Sequence, residues 1–220
     1  MPPGSFCVTI QLVKILAVSD EVVERLYSLC NHGHFSGVRL ILGCGDLPYT
    51  YLENLVTLLN VPLYYVPGNH DPEYAPQNAL TQAEGGSNLD LKLIRHNKLL
   101  IAGFGGSIRY RPEGANQYTQ KEAYGRAAGL LPQFAWNRIR HGRALDILIT
   151  HSPAFGIHDE DTRAHQGLKA INWLIRVARP RLHLHGHVHF HRGNLTASDT
   201  VLGATRIVNV YPYKVLEVDD

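Results

Sequence analysis

The sequence predicts an α/β fold in which two β-sheets pack as a sandwich flanked by helices. Short apolar runs rich in β-branched residues alternate with helix-like stretches, which is the pattern of βαβ units and a largely parallel core sheet. After residue 189 the chain reads instead as three or four short strands with turns, which indicates a second, partly antiparallel sheet. The chain has no internal repeat and no linker, so we expect a single domain over residues 1–220.

Five predicted strands each end at a polar residue that could bind a metal ion. They are Lys14–Ser19 before Asp20, Val38–Gly45 before Asp46, Val61–Gly68 before Asn69, Ala144–Thr150 before His151, and Arg181–Gly186 before His187 and His189. In open α/β sheets, ligands bind beyond the carboxyl ends of the strands. Residues that are far apart in sequence can therefore meet in one site.

The segments between these strands are of two kinds. Three read as amphipathic helices, namely Glu21–His32, Tyr49–Leu59 and Leu168–Ala178. Two are polar and glycine-rich, Pro72–Asp90 and Gly105–Gly129, and we expect them to be loops over the sheet edge that select the substrate. Turns in the C-terminal region are predicted at Arg192–Asn194, Ser198–Asp199 and Gly203–Ala204.

Composition excludes several classes of protein. The 220 residues are 45% hydrophobic, enough for one buried core, and a formal charge of +2 argues against a nucleic-acid partner. No apolar run approaches the roughly 18 residues of a membrane span, and the first residues do not resemble a secretory signal. We therefore expect a cytoplasmic protein without a membrane partner. The three cysteines form no CxxC pair and are expected to be buried thiols.

The polar residues at the strand ends resemble, in order, the sequence blocks of the calcineurin-like metallophosphoesterase superfamily. Those blocks are DxH, GD, GNH(D/E), H and GHxH; here they read Asp20, GD at Gly45–Asp46, GNHD at Gly68–Asp71, His151 and GHVH at Gly186–His189. The resemblance implies an αββα sandwich with two transition-metal ions. It also implies hydrolysis of small phosphate monoesters or diesters by a metal-bound hydroxide.

The same resemblance assigns a role to each residue. Asp46 would bridge the two ions, because a carboxylate can bind two cations while neutral imidazoles and an amide oxygen complete each shell. Asn69, His151 and His187 would join Asp46 around the second ion (Fe, Mn or Zn), and Asp20 and His189 would join it around the first.

Two residues of the GNHD block would serve proton transfer rather than metal binding. His70 would face the leaving-group oxygen as a general acid, and Asp71 would hold its ring in position. From the residues alone, His70 could instead cap a helix, and Asn69 could be a plain turn residue.

Not all of the histidines can be ligands. Those at positions 183, 185, 187, 189 and 191 would project to one side of an extended chain. The resemblance singles out His187 and His189, so we expect His183 and His185 to pack or to accept hydrogen bonds behind the ligands. Five further histidines receive no role: His32, His34, His96, His141 and His165.

The sequence departs from the family in its first block, where Val22 replaces the histidine of DxH. The first site is then weak, or another residue supplies the missing donor. GDLPY resembles the GDxxY block of purple acid phosphatases, which also lack that histidine and bind the first metal through the tyrosine. A phenolate from Tyr49 would favour Fe(III) at this site. Tyr49 could instead simply begin a helix, and Glu21 is a weaker alternative ligand.

Substrate contacts and overall function leave alternatives open. Arg109 and Arg111 follow a predicted strand and could bind phosphate, although a solvated loop arginine is equally consistent with the sequence. The superfamily also includes nucleases, which would need a basic track around the site, and scaffolds that keep the fold without catalysis. Retention of the histidines and of Asp71 favours an enzyme.

Overall fold

The structure is a computed structural model, described here for residues 12–75, 77–189 and 198–219. Within these residues the strands are β1 (Leu12–Val18), β2 (Val38–Gly43), β3 (Leu63–Tyr65), β4 (Gly86–Asn88), β5 (Leu93–His96), β6 (Leu99–Phe104), β7 (Ser107–Ile108), β8 (Gln117–Tyr118), β9 (Ile147–Thr150), β10 (Leu182–His185), β11 (Asp199–Leu202), β12 (Thr205–Asn209) and β13 (Tyr213–Asp219). The helices are α1 (Arg25–Asn31), α2 (Tyr49–Leu59), α3 (Gln120–Ala128), α4 (Leu131–His141) and α5 (Lys169–Ala178), with a 3₁₀ turn at Ala79–Thr81.

Two large sheets form the predicted sandwich. The first has the order β13-β1-β2-β3-β4 and the second β11-β12-β10-β9-β6-β5, while β7 and β8 form a small separate pair. The strands from β1 to β4 are parallel to one another, as are β6, β9, β10 and β12. The α/β sandwich expected from the sequence is therefore confirmed.

The apolar residues between the sheets form the central core. It contains Ile15 and Leu42 from the first sheet and Ile149 and Leu184 from the second, all fully buried. Two outer clusters cover the other faces, one around α2 and one around α3, α4 and α5. Burial on both faces explains why the central strands read as continuous apolar runs.

The structure corrects the predicted organisation in two respects. The five strands that end at polar residues do not share one sheet, since β1 to β3 lie in the first sheet and β9 and β10 in the second. The C-terminal strands are also divided, because β11 and β12 extend the second sheet whereas β13 pairs antiparallel with β1.

Helix predictions differ in accuracy. The α2 bounds were predicted correctly, and α5 begins one residue later than predicted. The helix α1 begins only at Arg25, because the chain first turns at Asp20, whose φ is 64°. The helix α3 lies in a segment predicted as loop, and α4 was not predicted. Of the predicted turns, Gly203–Ala204 is confirmed, Asp199 already begins β11, and Arg192–Asn194 lies outside the described residues, as does His191.

None of the helices in the described parts of the chain is long and apolar enough to cross a membrane.

Candidate metal centre

Backbone conformation brings the strand ends of both sheets together. Asp20, Asp46 and His187 each follow a strand and adopt positive φ values of 64°, 55° and 69°. Two glycines allow the approach: a Cβ on Gly68 would lie 2.0 Å from Asp46 Oδ1, and a Cβ on Gly186 would lie 1.7 Å from Ser19 Oγ. No larger residue fits at these positions, which gives a steric reason for the glycines of the GNHD and GHVH blocks.

Three predicted ligands meet around a fourth, His151. Its Nε2 lies 3.0 Å from Asn69 Oδ1, 3.0 Å from His187 Nδ1 and 3.3 Å from Asp46 Oδ2. The ligand atoms of Asp46, His151 and His187 all lie within 4.8 Å of one another. The structure thus brings together the four residues expected around the second metal, two from each sheet.

Hydrogen bonds behind these ligands fix which ring nitrogen faces the centre. The Nδ1 of His151 lies 2.9 Å from the carbonyl oxygen of Cys44, and the Nε2 of His187 lies 2.8 Å from that of Ala164. A carbonyl only accepts, so these two nitrogens carry protons. In the neutral rings, the lone pairs of the other two nitrogens therefore face each other across the centre.

This donor set fits a transition-metal ion. Imidazole nitrogens, a carboxylate oxygen and an amide oxygen converge, and such atoms repel one another unless a cation or proton lies among them. Donors that each lie about 2.1 Å from one ion are separated by about 3.0–3.4 Å. The three separations measured from His151 Nε2, 3.0–3.3 Å, match that range.

The electrostatics of the cluster also favour positive charge. Burial lowers the pKa of His151, but the Asp46 carboxylate outweighs it and raises that pKa to about 10. Burial raises the pKa of Asp46, yet His151 brings it down to about 2. Burial and the charge on His151 together lower the pKa of His187 to about 3. In the metal-free protein, a proton on His151 therefore takes the place of a cation.

Asp20 and His189 form a neighbouring pair beside this cluster. His189 Nε2 lies 3.5 Å from Asp20 Oδ1, and Asp20 Oδ2 accepts hydrogen bonds from the His187 backbone N–H at 2.9 Å and from Ser19 Oγ. The His189 ring, 49% exposed, stacks on Tyr211 with centroids 4.4 Å apart. Asp20 and His189 line a pocket of about 230 Å³ together with Asp46 and Asn69. The two residues expected around the first metal thus lie together.

His70 and Asp71 differ in how well they match their predicted roles. The His70 side chain is exposed and lines the same pocket, while its backbone N–H donates to Asp46 Oδ1 at 2.8 Å. Asp71 is buried, and its Oδ2 accepts from the backbone N–H groups of Asp46 at 2.9 Å and Gly68 at 2.7 Å. Within the described residues no hydrogen bond joins this carboxylate to the His70 ring. Asp71 instead connects the backbone of Asp46 to that of Gly68, and its predicted positioning of the His70 ring stays a prediction.

Tyr49 begins α2 and does not line the pocket. Its ring packs against Tyr65 with centroids 5.6 Å apart, and its buried hydroxyl has no hydrogen-bond partner in the described part of the chain. Burial, together with the charges of Asp71 and Asp46, raises the pKa of this phenol above its usual range. The hydroxyl thus lies in the field of both carboxylates, but metal binding by Tyr49 stays a prediction.

Arg109, the predicted phosphate contact, pairs with other residues in the structure, and phosphate binding by it stays a prediction. Its guanidinium pairs with Glu122 at 3.0 Å and donates to the Gln117 carbonyl at 3.1 Å. Glu122 in turn belongs to the capping box of α3. Arg111 lines a larger cleft of about 640 Å³ next to the metal pocket. Of the two arginines, Arg111 is the one placed to meet a substrate.

Two residues of the pocket were missed from the sequence. Tyr110 lines both the pocket and the cleft, and its hydroxyl accepts from Asn69 Nδ2 at 3.2 Å. His165, to which no role was assigned, lines the pocket with its ring centroid 5.4 Å from that of His187. Its Nδ1 lies 2.8 Å from Thr162 Oγ1. Both lie in loops of polar sequence, where spacing carries no signal for such contacts.

His183 and His185 are buried and packed within the fold, as predicted. They are on the face of β10 opposite Leu184, fully buried, and contact Thr150 at 2.9 Å and His158 at 3.0 Å. The predicted alternation of side chains ends with β10 at His185. His187, whose φ is 69°, and His189 follow the strand and do not continue its extended backbone.

Comparison with known proteins is consistent with this site. No curated protein sequence matches the chain significantly. The crystal structure of TT1561 of Thermus thermophilus superposes with a TM-score of 0.57 at 19% identity, covering 95% of this chain and 99% of that one. The Haemophilus influenzae NAD nucleotidase (NadN) superposes with a TM-score of 0.52 at 13% identity, covering 94% of this chain and 53% of that one. At these identities the similarity concerns the fold alone.

The model of the calcineurin-like phosphoesterase family matches residues 13–191, most of the chain including the whole site, and the chain therefore belongs to that family.

Proposed function

We propose that this protein hydrolyses phosphate esters with two transition-metal ions held at the strand ends. The observation that carries the proposal is the convergence of Asp46, Asn69, His151 and His187 from both sheets, with donor atoms of the other three 3.0–3.3 Å from His151 Nε2. The Asp20–His189 pair beside them supplies ligands for the other ion. When bound, the ions activate a water molecule and neutralise charge on the phosphate.

The chain's own residues set the geometry of the reaction. Asp46 would touch both ions, and its orientation is fixed because the His70 backbone N–H holds Oδ1 while Oδ2 faces His151. The Asp71 carboxylate in turn holds the backbone of Asp46. A bridge held in this way loses little freedom when metal binds.

His70 would give its proton to the leaving-group oxygen. Its exposed ring lines both the metal pocket and the larger cleft, so it lies between the phosphate and the space left for the leaving group. Such proton donation typically contributes about 10²–10⁴-fold in rate.

A small phosphate ester is the proposed substrate. The cleft next to the metal pocket is about 640 Å³ in volume and is lined by Tyr110, Arg111 and residues 112–115. That volume is typical of small-molecule sites. The formal charge of +2 does not favour a nucleic-acid partner.

The identity of the first ion depends on Tyr49. If its phenolate is a ligand, as the GDLPY sequence predicts, the first site prefers Fe(III) and iron-loaded protein shows a visible charge-transfer band. Tyr49→Phe should remove that band while keeping the ring contact with Tyr65. Colourless iron-loaded protein, or an unchanged band in the variant, would exclude Tyr49 as a ligand and leave the first ion with Asp20, Asp46 and His189.

The proposal is tested by reconstituting metal-free protein with Mn²⁺, Zn²⁺ or iron. Bound metal and the hydrolysis of an aryl phosphate and of its diester are measured on the same sample. We expect two ions per chain and turnover of at least one ester, with the rate ratio assigning the ester class. His187→Asn should lose metal and activity, whereas His34→Gln, a change of an exposed histidine away from the site, should keep both.

Two outcomes would contradict the proposal. Protein that binds no metal under any of these conditions would remove its basis. Protein that holds two ions and cleaves neither ester would point to the scaffold alternative, and retention of DNA in filter binding with cleavage of the strand would point to a nuclease.

A further inference from the structure

Tyr110 lies at the junction of the metal pocket and the cleft. Three residues line both cavities, namely Asn69, His70 and Tyr110. The first two have roles in the proposed reaction. Tyr110 is the third, and any ester whose phosphate sits in the pocket and whose leaving group extends into the cleft must pass its side chain.

The loop that carries Tyr110 is fixed to the GNHD loop. Asn116 Nδ2 donates to the carbonyl oxygens of Gly68 and Asp71, each at 3.0 Å. Gln117 Oε1 accepts from the backbone N–H groups of Tyr110 at 3.2 Å and Arg111 at 3.1 Å. Short strands β7 and β8 pair at the base of this loop. The backbone of Tyr110 is therefore fixed by the hydrogen bonds that its own N–H and the next N–H donate to Gln117.

The hydroxyl of Tyr110 has a proton left to donate. Asn69 turns Oδ1 toward His151, so only its Nδ2 remains for Tyr110, and it donates to the hydroxyl oxygen at 3.2 Å. A phenol oxygen that accepts this bond still carries its own hydrogen. That O–H has no acceptor among the described residues, and the side chain lines the pocket in which the phosphate would bind.

We propose that the Tyr110 hydroxyl is a substrate-binding group that donates a hydrogen bond to a phosphoryl oxygen of the bound ester. The inference rests on the proposed function and takes over the contact that sequence reasoning gave to Arg109, whose guanidinium is paired with Glu122. A hydroxyl is neutral, so this contact serves the singly charged phosphate of a diester as well as the dianion of a monoester.

The test is the variant Tyr110→Phe, which removes only the hydroxyl and keeps the ring, whose centroid lies 5.4 Å from the Arg111 guanidinium carbon. Inorganic phosphate is titrated into metal-loaded protein by calorimetry, and bound metal is measured on the same sample. We expect the affinity for phosphate to fall about tenfold or more, the size expected for a hydrogen bond to a charged oxygen, with two ions still bound. Tyr124→Phe, a change of a half-exposed tyrosine on α3, is the matched control and should leave phosphate affinity unchanged.

Two results would overturn the inference. One is an unchanged phosphate affinity in Tyr110→Phe. The other is a loss that disappears at saturating metal, because Tyr110 would then act only by orienting Asn69 for metal binding. Phosphate binding is measured without turnover, so a wild-type protein that cleaves no ester would contradict the proposed function while leaving this result readable.

Discussion

The two oxygens of Asp46 show how a single side chain is oriented for the bridging role proposed for it. Oδ1 accepts from the His70 backbone N–H, while Oδ2 faces His151 across 3.3 Å. The motif predicted that Asp46, Asn69, His151 and His187 would meet, and they do. It could not predict the partners of Asp71 and Arg109, because those side chains bond to groups from other elements whose positions are set only by the packed fold.

His70→Ala should keep both metal ions and slow esters with poor leaving groups far more than activated aryl esters. The reason is that only a poor leaving group needs a proton during bond cleavage, so the variant should lose about 10²–10⁴-fold with such esters. Rates for an alkyl phosphate and a nitrophenyl phosphate give the comparison, with His34→Gln as control. Equal slowing of both esters would argue against proton donation by His70.

Metal binding should release a proton from His151. In the metal-free protein its pKa is raised from 6.5 to about 10, so the ring is protonated at pH 8 and must lose that proton before Nε2 can bind an ion. The apparent metal affinity should therefore rise with pH up to about 10 and level off above it. Calorimetry at pH 8 in two buffers of different ionisation enthalpy counts the protons released, and a count of zero would contradict this protonation state.

The loop between β7 and β8 and the helix α3 that follows it differ in how well the sequence pattern predicted them. The polar, glycine-rich sequence predicted a loop that selects substrate. Tyr110 from this loop lines the pocket, while the selection of substrate stays a prediction. The pattern did not reveal α3, whose apolar residues are small, Ala123 and Ala127, and therefore give weak periodicity. By contrast, α2 buries Leu52 and Leu55 at helical spacing and was predicted to the residue.

Asn116→Asp should destabilise the protein by about 1–3 kcal/mol, because the carbonyls of Gly68 and Asp71 would lose their donor and remain buried. Aspartate keeps the size of the side chain and tolerates the φ of 51° at this position. Asn97→Asp is a matched control, since Asn97 has a φ of 54° and is exposed. Chemical denaturation measures the free energy of unfolding, and equal effects of the two changes would argue against the role of Asn116.

The four residues proposed to hold the second metal ion come from both sheets of the molecule. Asp46 and Asn69 follow β2 and β3 of the first sheet, and His151 and His187 follow β9 and β10 of the second. The sequence indicated that these strand ends would converge, although not that they belong to different sheets. The division depends on which strand pairs lie side by side, and apolar runs buried on both faces carry no information about their neighbours.

Because the proposed ion would connect both sheets, metal should raise the thermal stability of the protein. An ion at about a hundred times its dissociation constant adds about 2.7 kcal/mol to the free energy of unfolding. Asp46→Asn should abolish most of this gain, whereas Asp161→Asn, at an exposed carboxylate, should keep it. Melting temperatures with and without Mn²⁺ provide the readout, and a full metal-dependent gain in Asp46→Asn would contradict the bridging role.

Anomalous X-ray scattering from crystals of manganese-loaded protein would show directly whether two ions bind where the two sheets meet. We expect two anomalous peaks, one among Asp46, Asn69, His151 and His187 and the other between Asp46 and the Asp20–His189 pair. A single peak, or peaks elsewhere on the molecule, would contradict the dinuclear centre.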